Sequence, residues 1–196
     1  MLVDSEIRQA IDSGEIKVEP FDPTLINPAS LDISLSENFS ILYTTNIESR
    51  PVPYDYCGYC AGGLQTEPVI NPLNKSSFKF EPFQFKEYVL EAGKTVLAGM
   101  LEKVTLPDNI GCKVMGKSSL GRLGLINSSH AGWVDPGWSG YLTMELTNVS
   151  AFPIKLTAGM KIGQLVFYEA KEYAEEGYDK TGRYYNQASG TGSYGI

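Results

Sequence analysis

Residues 116–147 read GKSSLGRLGLINSSHAGWVDPGWSGYLTMELT, and the closing LTMELT decides what kind of structure the chain builds. Leu142, Met144 and Leu146 alternate there with Thr143, Glu145 and Thr147. Side chains on a strand point to opposite faces with period two, so this is a strand with one aliphatic face, and Glu145 projects from the other. Upstream, Lys117, Ser118, Ser119 and Arg122 place two cations and two hydroxyls within six residues. That set suits phosphate oxygens, because ammonium and guanidinium bonds to phosphate are charge-assisted. A polar turn after a strand has the same composition. Between the two segments, Asp135-Pro136-Gly137-Trp138 carries the proline and glycine of a tight turn.

Outward from this stretch the strand pattern recurs. Short strands are expected at 30–35, 78–80, 85–90, 95–105, 111–115, 140–147, 154–156 and 162–168, separated by Gly, Pro and Asn. Many short strands of this kind make a sandwich or barrel, and nothing here alternates with long helices as a parallel sheet requires. One helix is expected near the start. Asp4 or Ser5 would cap it, Ile7, Ala10 and Ile11 would be its buried stripe, and Gly14 its stop. Pro20, Pro23 and Pro28 then interrupt the chain, and residues 46–77 read as an irregular excursion. Residues 178–196 are rich in glycine and tyrosine with few aliphatics, the composition of a mobile tail. The expected organisation is a single domain over 1–177 followed by that tail.

Composition excludes several functions. The 196 residues carry 16 basic against 23 acidic side chains, a net charge of -7, which argues against non-specific binding to nucleic acid or an anionic membrane. A polyanionic ligand must meet a local cluster of cations. The opening MLVDSEIRQAID has acids where a signal peptide is basic and then apolar, and no apolar run reaches the length of a membrane span, so a cytoplasmic protein is expected. Gly111 to Ser118 formally matches the P-loop pattern GxxxxGK[ST]. Residues 112–115 read as strand, however, where a P-loop needs a flexible turn before a helix. Cys57-Gly-Tyr-Cys60 is a CxxC, but Cys112 and His130 have no paired spacing with it, so reduced structural thiols are expected rather than zinc. The zinc deaminase signature fails too: Gly132 stands where a glutamate should follow His130, and Tyr56 precedes Cys57.

The run KSSLGRLGL, the AGWVDPGWSG turn and the LTMEL strand together resemble, in order and spacing, the core of the dCTP deaminases, relatives of the trimeric dUTPases. The resemblance implies a mainly β, dUTPase-like distorted barrel or sandwich with a short N-terminal helix and a mobile tail. It implies a homotrimer with active sites shared across subunit boundaries. Glu145 would shuttle the protons of a hydrolytic deamination, Ser118 and Arg122 would position water and ring, and the backbone carbonyl of Ala131 would orient the water. Asp135 would hold the deoxyribose 3'-hydroxyl, with Trp138 as an apolar wall. Lys117, Ser119, Trp133, Thr143 and Gln164 complete the substrate set. Tyr178, Arg183 and Gln187 match the tail residues that reach the phosphates in the family. Magnesium would arrive bound to the triphosphate, and zinc would play no part.

The resemblance also bears on the product. Deaminases that stop at dUTP usually carry a His-Arg pair after the alanine, whereas Gly132-Trp133 follows Ala131 here and resembles the bifunctional enzymes that carry dCTP through to dUMP. Gln164 resembles that pattern as well. A deaminase releasing dUTP, a dUTP pyrophosphatase and a non-catalytic nucleotide-binding module are the alternatives. His130 stands where threonine is common, beside the water site and the pocket for dTTP, the family's feedback inhibitor. It is left out of the catalytic set.

Overall fold

The computed structural model describes residues 1–44, 48–51, 66–127 and 132–193. Two compact units are present: residues 1–40 with 82–191, and the described residues of 41–81 with Gly192 and Ser193.

The first unit opens on helix α1, Asp4–Asp12. Its cap is Val3, one residue earlier than the sequence suggested. Valine offers no side-chain acceptor, and the Val3 N–H instead donates to Glu6 Oε2 at 2.8 Å, so the acid sits inside the first turn. Ile7 and Ala10 are buried, and Gly14 closes the helix with an N–H to the Ile11 carbonyl at 3.0 Å.

The strands are β1 Lys17–Glu19, β2 Ile26–Asn27, β3 Ser30–Thr44, β4 Glu48–Pro51, β5 Thr66–Val69, β6 Phe78–Gln84 and β7 Glu87–Leu90. They continue with β8 Thr95–Thr105, β9 Ile110–Gly116, β10 Leu125–Asn127, β11 Trp133–Val134, β12 Ser139–Asn148, β13 Ile154–Thr157 and β14 Lys161–Glu169. Two single-turn α-helices, α2 Ser118–Gly121 and α3 Tyr178–Thr181, and a 3-10 turn at Pro23–Leu25 complete the described elements. The expected strands are present: β9, β12, β13 and β14 run one or two residues longer, β8 is as expected, β7 starts two residues later, and β3 and β6 extend well beyond the expected 30–35 and 78–80. The stretch read as an irregular excursion contains an antiparallel pair, β4 with β5, that its Pro and Asn content concealed.

In the first unit the strand order is β10-β12-β8-β3-β14-β9-β11, with β1 added to β8 and β2 to β3. The sheet curls far enough to bring β10 near β9: the Asn127 Cβ on β10 lies 3.6 Å from where a Cβ on Gly116, at the end of β9, would stand. This curled, mainly β sheet fits the sandwich or barrel that the short strands suggest. Its interior is lined by Ile33, Leu35, Val96, Ala98, Met100, Met144 and Leu146, all at most 2 % exposed. Each of these Val, Ile, Leu and Met side chains contributes about 1.5–3 kcal/mol on burial, and the methyl of Ala98 less.

Strand β3 departs from a one-sided pattern. Leu31, Ile33 and Leu35 are buried on one face, and Asp32, Ser34 and Ser36 are buried on the other. Buried polar groups need partners, and these have them. Lys117 and Lys161 bind Asp32, the Ser34 N–H donates to both oxygens of Glu102 at 3.2 and 3.0 Å, and Ser36 Oγ lies 2.9 Å from Ser189 Oγ. No helix in the described residues is long and apolar enough to cross a membrane.

Glu102 is 2 % exposed, and burial raises its carboxyl pKa above the ordinary 4.5 against the opposing pull of the Ser34 N–H. A raised folded-state value means that its contribution to stability is complete below about 4.5 and is lost as pH rises through the raised value. Glu102→Gln removes that titration. Thermal melts should show the variant's midpoint, relative to the parent, moving upward as pH rises above about 4.5; parallel curves would contradict this.

Candidate active site

The proton-transfer candidate is placed by the register of β12 against β8. Thr143 lies opposite Gly99 and Glu145 opposite Leu97. Directly paired residues of an antiparallel ladder share a face. Thr143, Glu145, Leu97 and Gly99 therefore occupy one face, and Met144 and Leu146 pack into the core from the other. Glu145 is exposed, while Thr143 Oγ1 is buried with no hydrogen-bond partner.

The C-terminal segment lies on this same face. A Cβ on Gly99 would fall 1.9 Å from Ser189 Oγ and 2.5 Å from the Gly190 nitrogen, so only glycine lets the chain pass here. Ser189 Oγ donates to the Met100 carbonyl at 3.1 Å, and Ser40 Oγ donates to the Gly190 carbonyl at 2.5 Å. Further back, the Asn186 N–H reaches the Ser139 carbonyl at 2.7 Å, the Tyr141 N–H reaches the Gln187 carbonyl at 3.2 Å, and Gln187 Nε2 reaches the Tyr141 carbonyl at 2.8 Å. The segment that composition marks as a mobile tail is docked in this structure. Its anchors are backbone groups and hydroxyls, which a count of aliphatic residues does not register.

The Asp135 turn meets this segment too. Gly137 takes φ +81°, the left-handed value required at the third position of a type II turn, and the Trp138 N–H returns to the Asp135 carbonyl at 3.3 Å. Trp138 is buried, with its ring centroid 5.2 Å from that of Tyr178 and its indole N–H buried without a partner. One carboxylate oxygen of Asp135 accepts from the Trp133 indole at 2.8 Å; Trp133 is half exposed and rests against Tyr168. Tyr178, Gln187 and Trp138 thus gather at the start of β12. Arg183, in the same segment, is exposed.

The cationic corner follows β9. Ser118, Ser119 and Arg122 are exposed on or just after α2, and the Arg122 N–H closes the turn on the Ser118 carbonyl at 3.0 Å. Lys117 behaves differently from the free cation its sequence context suggests. Its Nζ donates to Asp32 Oδ1 at 2.6 Å. Asp32 also binds Lys161 at 3.1 Å through Oδ2 and Asn27 at 2.8 Å through Oδ1. Burial alone would raise the Asp32 pKa, but the bonds from Lys117, Lys161 and Asn27 outweigh it and hold the carboxyl below its ordinary value. Gln164, opposite Asp32 on β14, accepts from Ser30 Oγ at 3.1 Å. Within the single chain, no hydrogen bond or ion pair among the described residues joins Glu145 to Ser118, Ser119 or Arg122.

Ala131 and His130 lie outside the described residues, as do Cys57 and Cys60. Cys112 is buried, and burial pushes its thiol pKa far up, in keeping with a structural thiol. Sequence reasoning missed the roles of Asp32, Lys161 and Gly99. An acid set between leucine and isoleucine in a strand was the available signal for Asp32, but its lysine partners lie far along the chain.

The dCTP deaminase-like family profile matches residues 1–170. The chain belongs to that family. A dUMP-forming dCTP deaminase of Thermobifida fusca is 39% identical over 178 residues, covering 91% of this chain and 82% of the relative. One from Kocuria rhizophila is 40% identical over 190 residues, covering 97% and 90%. Among solved structures, the 2'-deoxycytidine 5'-triphosphate deaminase of Agrobacterium tumefaciens superposes with a TM-score of 0.58 at 25% identity, over 86% of this chain and 47% of that one. The resemblance carried by KSSLGRLGL, AGWVDPGWSG and LTMEL is therefore a family relationship that runs through most of the chain.

Because Gly99 is the gap through which Ser189 and Gly190 pass, Gly99→Ala should lift this part of the dCTP deaminase-like chain off β8. Amide hydrogen exchange at residues 186–191 is expected to rise at least about tenfold, while exchange in β12 and β14 stays protected. Unchanged protection at 186–191 would mean that Gly99 is not what admits the segment.

Proposed function

We propose that the chain hydrolyses dCTP in one site, first replacing the cytosine amino group with oxygen and then cleaving between the α- and β-phosphates, to give ammonia, dUMP and pyrophosphate. The observation that carries this reading is the placement of Glu145. An exposed carboxylate stands on the strand face that the C-terminal segment crosses, two residues from the buried, unpartnered Thr143 hydroxyl. The relatives named as dUMP-forming dCTP deaminases support the choice of reaction and of end product.

In the proposed first step a water adds to C4 of the cytosine and Glu145 takes its proton. Glu145 delivers that proton to N3, where it stays in the uracil ring; the proton of the new C4 hydroxyl then passes through Glu145 to the amino group, and ammonia leaves as the C4 carbonyl forms. A carboxylate acting as base and then acid in this way contributes on the order of a hundredfold to ten-thousandfold. Ser118 and Arg122 position the water and the ring, and the Ala131 carbonyl orients the water. Asp135 holds the sugar, its other oxygen already fixed by Trp133, and Trp138 walls it. Lys117, Ser119, Trp133, Thr143 and Gln164 contact the nucleotide, and Tyr178, Arg183 and Gln187 close over it. In the second step a water attacks the α-phosphorus and pyrophosphate leaves, with Asp135 orienting that water.

Several features of the reading come from the family relationship. We propose a homotrimer, in which a neighbouring copy completes each site, since one chain leaves Glu145 exposed and unbonded to Ser118 or Arg122. Magnesium is proposed to accompany the triphosphate rather than bind protein side chains. Asp32, the buried carboxylate at the cationic corner, is fully engaged by Lys117, Lys161 and Asn27. A cytoplasmic location and feedback by dTTP are proposed on the same basis.

Glu145→Gln tests the assignment. The amide keeps size and hydrogen bonding but cannot accept the proton. Ammonia release from dCTP should fall by at least about a thousandfold, while dCTP affinity stays within about tenfold. Deamination retained at near the parental rate would remove Glu145 from the mechanism.

A further inference from the structure

Lys161 belongs to none of the sets assigned above. It opens β14, and its Nζ lies 3.1 Å from Asp32 Oδ2, while Lys117 Nζ lies 2.6 Å from Oδ1 of the same carboxylate. The register explains the meeting. Gly163 on β14 stands opposite Gly116 at the end of β9, so Lys161, two residues earlier, falls alongside the corner where the chain turns into Lys117-Ser118-Ser119. The Asp32 side chain is 3 % exposed, that of Lys117 23 % and that of Lys161 49 %. The carboxylate is thus interior, and both cations reach it from the surface side.

One lysine suffices to neutralise a buried carboxylate; Asp32 has two, and the cluster around it carries net charge +1. Asp22 influences Lys161 only through space, its own bond being to the Thr24 N–H at 2.8 Å. Each ammonium has three N–H donors, and Asp32 takes one from each. Lys117 immediately precedes Ser118 and Ser119 in the chain, and the register sets Lys161 alongside the same turn. Two ammonium groups pinned side by side with donors to spare match a chain of phosphate oxygens, and the pinning lowers the entropy lost when they bind one.

We propose that Lys161 is a further substrate-binding residue, and that with Lys117 it forms a two-cation seat for the polyphosphate of the nucleotide, Asp32 being the positioning residue that holds both. This rests on the nucleotide reading above. In a chain of net charge -7 such a seat is the local exception that a triphosphate needs.

The test compares the parent with Lys161→Met, which keeps the Lys117–Asp32 pair, and with Lys155→Met, which removes an exposed lysine paired with Glu87 elsewhere. Titration calorimetry with dCTP, dCMP and inorganic tripolyphosphate supplies the readout, and thermal melts confirm that each variant is folded. Lys161→Met should weaken dCTP and tripolyphosphate binding about tenfold or more, leave dCMP within about twofold, and raise KM with kcat little changed. Lys161→Arg should restore most of the affinity, and Lys155→Met should change nothing. Equal dCTP affinity in Lys161→Met and parent, equal losses for dCTP and dCMP, or the same loss in Lys155→Met would each overturn the seat. The tripolyphosphate arm separates this idea from the functional reading. A parent that ignores dCTP but binds tripolyphosphate more tightly than Lys161→Met would end that reading and keep the seat; tripolyphosphate binding that is equal in the two, or absent from both, ends the seat.

Discussion

A buried carboxylate shared by two lysines ties the cationic corner to the barrel. Asp32 lies on β3, Lys161 on β14 and Lys117 where β9 gives way to α2, so one group fastens three elements at the place where the exposed serines and Arg122 begin. Taking a charge out of water is costly, and removing one partner of a buried ion pair typically costs about 3–5 kcal/mol, since the other charge is left uncompensated. The depressed pKa of Asp32 shows that its partners outweigh its burial. That contribution is present above the ordinary carboxylate value of 3.8 and is lost as pH falls through the depressed one. The corner is consequently fixed before any ligand arrives, which is what a site for a flexible polyanion requires.

The second constraint is the division of labour across β8 and β12. One face supplies Ala98, Met100, Met144 and Leu146 to the core, and that packing sets a register in which a one-residue slip would turn every side chain over. The same register brings Thr143 and Glu145 to the opposite face and aligns Gly99 with them. The C-terminal segment uses the missing side chain at Gly99 to approach the sheet, and it adds hydrogen bonds to Ser139, Tyr141 and Met100. Stability and site geometry thus come from the same two strands. The polar face stays available for chemistry because the aliphatic face does the folding.

Much of this was legible in the chain itself. LTMELT displayed its alternation openly, and turn residues marked off the short strands at 95–105 and 162–168, so the mainly β architecture followed from local pattern. The candidate residues near β12 could be named because the motifs that carry the family resemblance are contiguous. What stayed hidden was long-range. Asp32 and Lys161 are separated by most of the chain, and no local rule pairs them. Strand β3 is buried on both faces, which a single aliphatic stripe at Leu31, Ile33 and Leu35 does not announce. The β4–β5 pair was concealed by Pro51 and Pro68, and the docking of residues 186–190 rests on backbone groups together with serine and glutamine side chains, which a count of aliphatic residues does not register. Val3 as a helix cap was missed because the acceptor comes from Glu6, inside the helix.

The account stands or falls on whether one site carries both hydrolytic steps. The direct measurement is a time course of ammonia, pyrophosphate, dUTP and dUMP after mixing the protein with dCTP and magnesium, with added dUTP followed in parallel. The account predicts ammonia and pyrophosphate appearing in step, dUMP as the nucleotide product, and little dUTP in solution at any time. Accumulation of dUTP in proportion to ammonia, with added dUTP left intact, would contradict it.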